Sequence, residues 1–352
     1  MLEKIKMQKW FLALTLGVGL FLFLITIWKS GPRSIIATLG VFTIWDFLTI
    51  VAIFLIQYLF STISISHTLK KLNHPISIKK LFPLELMRTS ISYVTPFSNN
   101  GGEPLELYLL KKKYTIPYSA ASAAVILEII LKIAISLIFM AVGCGYIFLT
   151  TASPLLKTIF FSLFLIFLAL VTVFFYCTIR RHGFCSFVIH YFGLKRFSFF
   201  QRNKKIIHNI DRCTIYFLRH YPRDFGLTVL LAFCSIICYL LRFYLIILFL
   251  GHASSFLELI LVFSLTQALI LVPIPTLLGI HELGQGLLSL FTTIPLQTGI
   301  SFVIILRIIT LMMTIPGFIL LGHQSVNGLT QKLRDKIFFR INNKLKNLKQ
   351  GV

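Results

Sequence analysis

The chain has 352 residues, of which 57% are hydrophobic and 13% are charged. Soluble domains carry about 25% charged residues, so this composition excludes a protein whose main solvent is water. Lysine and arginine total 34 against 11 acidic residues, and these cations sit beside long apolar runs. Their placement favours a role in membrane topology and contact with anionic lipids, and we expect no nucleic acid as a partner.

Six apolar stretches are long enough to cross a bilayer as helices, which takes about 20 residues. The first could be a signal peptide, but Trp10 and Trp28 at its ends are typical of interfacial anchors, and it lacks a small-residue cleavage site. We therefore interpret it as a spanning helix and predict an all-α polytopic membrane protein with about six spans. The stretches cover residues 10–28, 44–65, 118–149, 155–179, 225–250 and 298–322.

Basic residues give the direction of these spans, because cytoplasmic segments carry an excess of lysine and arginine. Cations precede the first span and crowd the loop at residues 180–223, so we predict that this loop and both termini are cytoplasmic, in the inner or plasma membrane. In the tail, residues 326–352, leucine and isoleucine recur at helical spacing among cations. This pattern predicts a basic amphipathic helix, and the loop and tail would contact anionic lipids of the inner leaflet.

Two more apolar stretches are interrupted by glycine and proline. Residues 81–110 lie between two basic clusters, so both of their ends look cytoplasmic, whereas residues 257–293 have almost no cations at either end. Helices of roughly 12 to 16 residues separated by such breakers are typical of re-entrant hairpins, and we expect the two hairpins to enter from opposite faces. The breakers that we assign to the hairpin turns are Gly101, Gly102, Pro104, Pro273, Pro275 and Gly279.

Both hairpins belong to an internal repeat, which appears when the chain is shifted against itself by 178 or 179 residues. We place repeat A at about 42–150 and repeat B at about 224–322, within a membrane domain of residues 1–325. The predicted topology runs the two repeats in opposite directions, as in alternating-access transporters. Duplicated packing without transport is the alternative. The matched positions include Pro96 with Pro275, Glu103 with Glu282, Glu128 with Arg307, and residues 115–117 with residues 293–295.

Ionisable residues within the spans need an explanation, because each one near a helix centre costs about 2.5–3.5 kcal/mol. Glu128 lies near the middle of the third span with Lys132 one turn away, and Arg307 has the equivalent depth in the last span. Glu128 either forms an ion pair with Arg307 or Lys132 that fixes helix register, or lines a hydrophilic cavity. In such a cavity these charges would meet a lipid headgroup or a coupling proton.

The hairpin turns carry further candidates. Glu103 follows two glycines, where free backbone amides and a short helix N-terminus would suit an anionic group; alternatively, this acid only complements the helix dipole. The second turn also has an acid after a glycine, namely Glu282, with His281 directly before it. His281 either titrates near neutral pH or caps the turn. Arg88, in an apolar arm of the first hairpin, could line the same cavity. No cysteine pair has metal-ligand spacing with nearby histidines, so we predict no metal site and no cofactor.

The motifs at residues 96–104 and 273–282, combined with Glu128 and Arg307, make the chain similar to a known family. Over roughly residues 10–325 it resembles the lysylphosphatidylglycerol synthase transmembrane-domain family, also called flippase-like integral membrane proteins. The resemblance implies an all-helical lipid translocase. Such synthases carry a large soluble aminoacyltransferase domain, whereas about 30 basic residues follow the last span here. We therefore expect no aminoacylation activity from this chain.

The chain departs from the family pattern at a few positions. The pattern tends to have arginine where this chain has Glu106, a pair of glycines at 276–277, and arginine at the position of His281. It often has arginine at the position of Ile129, for which Lys132 could compensate. The hairpins of this chain therefore carry fewer cations, which leaves the identity of the headgroup open.

The leading hypothesis is a lipid flippase that passes a polar headgroup between the two hairpins while the acyl chains stay in the membrane. A second hypothesis is a membrane-embedded transferase acting on a lipid phosphate, which would need a nucleophile or metal cluster. A third is a non-transporting partner of a lipid-modifying enzyme. The residues that we predict to line the substrate pathway are Glu103, Glu282, Glu128, Arg307, Arg88 and His281.

Overall fold

A computed structural model describes residues 32–94, 101–149, 154–191, 203–269 and 292–349, with single positions at 28, 193, 201 and 284. Within these ranges every regular element is a helix. The helices are α1 Pro32–Leu39, α2 Ile44–Lys71, α3 Ile78–Val94, α4 Glu103–Tyr114, α5 Tyr118–Leu149, α6 Pro154–Ile179, α7 Phe184–Tyr191, α8 Lys204–His220, α9 Pro222–Phe249, α10 Phe256–Leu269 and α11 Leu296–Lys349.

Five helices are long and apolar enough to cross a membrane, and they coincide with five of the predicted spans. They are Ile44–Lys71, Tyr118–Leu149, Phe161–Ile179, Pro222–Phe249 and Leu296–His323. The remaining predicted span, residues 10–28, lies outside the described residues apart from Trp28. The prediction of an all-α, multi-pass membrane protein is confirmed.

Helices α2 and α9, which begin the predicted repeats A and B, pack against each other in opposite directions. At one end Lys71 Nζ lies 2.9 Å and His67 Nε2 3.1 Å from Asp224 Oδ1. At the other end the ring centroids of Phe42 and Phe249 are 6.1 Å apart. The last turn of each helix therefore meets the start of the other, which is the arrangement that an inverted repeat requires.

Helices α3 and α4 form the first predicted hairpin, with 17 and 12 residues respectively. Neither is long enough to cross a bilayer alone. The Tyr114 hydroxyl at the end of α4 donates a hydrogen bond of 3.3 Å to the carbonyl oxygen of Lys80 at the start of α3. The hairpin thus begins and ends at the same face, as its two basic flanks predict. Residues 95–100, which connect the two helices in the sequence, lie outside the described residues.

The second hairpin is described at its two ends. Helix α10 supplies its first arm, and Thr293 returns to the start of that arm, where its backbone amide donates to the Glu258 carboxylate. Thr293 Oγ1 also lies 3.4 Å from His252 Nε2. Each hairpin follows the C-terminal end of its leading span, and α2 and α9 are antiparallel. The two hairpins therefore start from opposite ends of the helix pair.

Each hairpin packs against the last span of the other repeat: α3 against α11, and α10 against α5. Small residues allow the close approach. A Cβ atom on Gly317 of α11 would lie 2.1 Å from Ser90 Oγ and 2.3 Å from the Leu86 carbonyl oxygen of α3. A Cβ atom on Gly143 of α5 would lie 2.7 Å from Ser264 Oγ of α10. A glycine facing a serine thus recurs at both crossings.

Residues 180–223, predicted as a basic loop, contain the two helices α7 and α8 instead. The Asp211 carboxylate of α8 holds the start of α7 by accepting hydrogen bonds from the backbone amides of Cys185 at 2.9 Å and Ser186 at 3.0 Å. Burial, together with the adjacent Asp211, raises the pKa of the Cys185 thiol to about 12, so this thiol stays protonated. The density of cations concealed the amphipathic spacing of α8, which packs on α5.

The predicted tail helix is present but is not a separate element. Helix α11 continues from the last span to Lys349 without a break, with Pro316 inside it. A second departure is α1, which occupies part of the predicted connection between the first two spans and packs against α11. Contact of the tail with anionic lipids stays a prediction, as do the domain and repeat bounds.

Replacing Gly317 by alanine should destabilise the fold, because the new methyl group would overlap the α3 backbone, and such overpacking typically costs about 1–3 kcal/mol. Gly322→Ala is the matched control, since nothing lies within 4 Å of a Cβ atom there on the same helix. We expect a lower midpoint of thermal unfolding in detergent for Gly317→Ala alone. Equal midpoints for both variants would contradict the packing of α11 on α3.

Cysteine labelling tests whether the hairpins enter from opposite faces. Lys112 and Ala253 are exposed residues beside the bases of the first and second hairpin. In a background without the native cysteines, a membrane-impermeant maleimide should label Ala253→Cys in intact cells. It should label Lys112→Cys only after the cells are opened. Labelling of both positions under the same condition would show that the hairpins share a face.

Candidate functional site

Arg88 of α3 lies at the centre of a buried group of charged side chains. Its guanidinium is paired with Glu85 one turn earlier on the same helix. Its Nε lies 3.6 Å from Glu106 Oε2 of α4, and its Nη1 lies 3.6 Å from Glu128 Oε2 of α5. The Arg88 side chain is only 11% exposed. One guanidinium therefore contacts carboxylates on three helices.

Glu128 is the second residue of this group that contacts several polar side chains. Its Oε1 is in contact with both the Lys132 ammonium and the Ser61 hydroxyl of α2. Lys132 Nζ in turn donates to Ser61 Oγ at 3.0 Å. Of the two partners predicted for Glu128, Lys132 is therefore present, and Arg88 joins it. Glu128 itself is 2% exposed, so its charge is balanced by protein groups and not by water.

We name this buried group the charge cluster. Its members are Glu85, Arg88, Glu103, Glu106, Glu128, Lys132 and Ser61. Its cations, Arg88 and Lys132, face four carboxylates. Within the described part of the chain, hydrogen bonding in the cluster is incomplete: both oxygens of Glu106 and one oxygen each of Glu85 and Glu103 are buried without a hydrogen-bond partner. A buried carboxylate without such partners is unfavourable. These oxygens are therefore chemically suited to a positive charge or a hydrogen-bond donor.

Gly102 explains how α4 brings Glu106 to Arg88. A Cβ atom at Gly102 would lie 2.0 Å from the Arg88 carbonyl oxygen, so only glycine permits this approach of the two hairpin helices. Its backbone is helical, with φ −91°, and its amide donates to Ser92 Oγ at 2.9 Å. The glycine is needed for close packing and not for a free amide at the turn. Pro104 then occupies the first turn of α4, where the absence of an amide hydrogen is tolerated.

Helix α9 contributes a buried cation that is an electrostatic neighbour of Tyr58. Arg242 of α9 is 3% exposed, and its guanidinium lies over the rings of Phe54 and Tyr239, at 4.1 and 4.5 Å from their centroids. Such cation–π contacts stabilise a desolvated arginine. Tyr58 has Glu85 and Arg88 as electrostatic neighbours as well as Arg242. Acidic groups therefore collect in repeat A, and an arginine lies close by in repeat B.

The structure brings together part of the predicted pathway. Arg88, Glu103 and Glu128 meet in the charge cluster, and Gly101, Gly102 and Pro104 lie at the start of α4, while Arg307 is a half-buried residue of α11. The predictions at Glu282, His281, Pro273, Pro275 and Gly279 fall outside the described residues. All of these pathway roles remain predictions.

Sequence reasoning missed Glu85, Glu106 and Ser61 as members of the cluster. A usable signal was present for the two acids, because Glu85 precedes Arg88 by three residues and Glu106 follows Glu103 by three, which puts each pair on one helix face. Ser61 gave no comparable signal, since serine is common in membrane helices and its partner Glu128 lies 67 residues away.

Comparison with known proteins finds similarity to membrane proteins. The chain is 33% identical over 104 residues to a UPF0104 membrane protein of Methanocaldococcus jannaschii, a match that covers 29% of this chain and 31% of that protein. It thus matches under a third of that relative's length. No solved structure matches. The family described as Lysylphosphatidylglycerol synthase TM region matches residues 10–317. The chain therefore belongs to the Lysylphosphatidylglycerol synthase TM region family.

Proposed function

We propose that this protein translocates a lipid across the plasma membrane, with the polar headgroup passing between the two hairpins. The observation that carries the proposal is the charge cluster, which is built from both helices of the first hairpin and from spans α2 and α5. Charged side chains at membrane depth are costly and mark pathways for polar substrates in transport proteins.

The packing of the hairpins supports this proposal. Each hairpin touches a span of the other predicted repeat through a close glycine–serine contact, and at the crossing of α10 with α5 the rings of Phe139 and Phe263 also meet, with centroids 5.9 Å apart. Small-residue interfaces let helices in membranes approach closely. A hairpin can tilt on such a surface and open a polar path on one side of the protein, while the acyl chains remain in the surrounding lipid.

The remaining expectations follow from the same proposal. The protein acts as a translocator and not as an enzyme, it lies in the plasma or inner membrane with both termini in the cytoplasm, and its partners are membrane lipids. Anionic lipids of the inner leaflet would contact α8 and the tail. A lipid-modifying enzyme would supply its substrate.

Lipid movement by the purified full chain in liposomes tests the proposal. Headgroup-labelled phosphatidylglycerol, aminoacylated phosphatidylglycerol and a polyprenyl phosphate would be followed separately in both directions. We expect one of them to move, and Glu128→Gln to slow that movement about tenfold or more, which is about 1.4 kcal/mol in barrier height. The substitution removes the charge that organises Arg88 and Lys132, but it keeps a hydrogen-bond acceptor for Ser61.

Asp46→Asn is the matched control, because Asp46 caps the start of α2 away from the cluster and asparagine can still accept its hydrogen bonds. Its rate should equal that of the wild type. Arg307→Gln would then test whether the last span contributes to the same path. If the wild-type protein moves none of the three lipids while remaining monodisperse, translocation is the wrong function and a partner role is favoured.

A further inference from the structure

Glu106 is the carboxylate of the charge cluster with the least compensation. It is completely buried, and neither of its oxygens has a hydrogen-bond partner among the residues that the structure describes. Its nearest cation is Arg88, with 3.6 Å between Nε and Oε2, and that guanidinium also pairs with Glu85 and Glu128. Glu128 has Lys132 and Ser61 in addition. Among the described residues, Glu106 therefore has one close cation, Arg88, and shares it with Glu85 and Glu128.

The groups that face Glu106 come from every helix packed against it. Glu85 and Arg88 project from α3, Glu128 projects from α5 with Lys132 bound to it, and Glu103 lies one turn earlier on α4 itself. Ionised throughout, these side chains comprise four negative and two positive charges, an excess of two negative charges. Burial and an excess of negative charge both favour the protonated form of a carboxylate in such a position.

We propose that Glu106 is a proton-binding site and that Glu103 is the residue through which its proton exchanges with water. Glu103 and Glu106 are three residues apart on α4, which places them on the same helix face. Glu103 is half-buried and lies at the start of α4, whereas Glu106 is 0% exposed. A proton taken from water by the Glu103 carboxylate passes to a Glu106 oxygen, and each transfer leaves one carboxyl neutral.

This proton links the cluster to the packing of the hairpin. With Glu106 neutral, α4 can stay against α3 and α5 as observed, because the cluster then carries one negative charge less. With Glu106 ionised, the closed packing is disfavoured and a position of α4 that exposes the carboxylate to water gains population. A ligand shifts a conformational equilibrium by its difference in affinity for the two states. Here the ligand is a proton, which binds Glu106 more tightly when the hairpin is closed.

The consequence for transport rests on the proposed function: a pH gradient should drive or bias lipid movement. The chain would then draw on the proton gradient through the same hairpin that contributes most of the charge cluster. An alkali cation bound among the carboxylates would offset the same excess of charge, so the experiment must separate a proton from a sodium ion.

The binding site itself is tested without any lipid movement. Infrared spectra of the full chain in lipid, recorded while the pH is raised, should show loss of a protonated-carboxyl band. Glu106→Gln should remove that band, and Asp46→Asn should leave it unchanged. Glutamine imitates the neutral acid, so this variant should fold as well as the wild type. A spectrum that is identical in wild type and Glu106→Gln would overturn the proposal.

Coupling is tested in liposomes that carry a pH gradient or, separately, a sodium gradient at constant pH. We expect the pH gradient to change the rate or direction of wild-type lipid movement several-fold, and the sodium gradient to have no effect. Glu106→Gln should abolish the response to pH, and Glu103→Gln should slow it. A response to sodium alone would overturn the proton assignment. If the Glu106 band titrates but no lipid moves, the proton site stands and the translocation proposal fails.

Discussion

The shared guanidinium of Arg88 is the interaction on which the rest of the hairpin depends. It joins α3 to α4 through Glu106 and α3 to α5 through Glu128, so three helices converge on one side chain. Removing one partner of a buried ion pair typically costs about 3–5 kcal/mol, because the other charge is left buried. The cluster therefore fixes where the first hairpin sits, and the absence of a side chain at Gly102 lets its helices come close enough to form it.

The antiparallel arrangement of the two halves determines where each hairpin packs. Antiparallel packing of α2 and α9 puts the two hairpins at opposite ends, and each hairpin then rests on a span of the other repeat. Ser90 lies 2.7 Å from the carbonyl oxygen of Thr314 across one of these crossings. Neither of the predicted repeats packs on its own, since α3 contacts α11 and α10 contacts α5 in the opposite half of the chain.

The sequence predicted the features that depend on local composition. Apolar length defined five spans, and the breakers at residues 101–104 located the start of α4, because proline is favoured in the first turn of a helix. It failed at α7 and α8, where cations outweighed the amphipathic pattern, and at α1, which is too short to stand out from its connection. The charge cluster was predicted in part, since Arg88 and Glu128 were conspicuous in apolar helices. Their meeting depends on how three helices pack, and pairwise contacts of that kind leave no trace in one sequence.

The crossing of α3 and α11 has a consequence for how the protein is made. Ser90 and Thr314, which meet there, are separated by 224 residues of chain. At a synthesis rate of about 5–20 residues per second, the first hairpin is in place for roughly ten seconds or more before its packing surface is translated. During that interval Ser90 of α3 lacks its contact with Gly317 of α11. Biogenesis therefore passes through an intermediate in which α3 has been synthesised but does not yet have its contact with the last span.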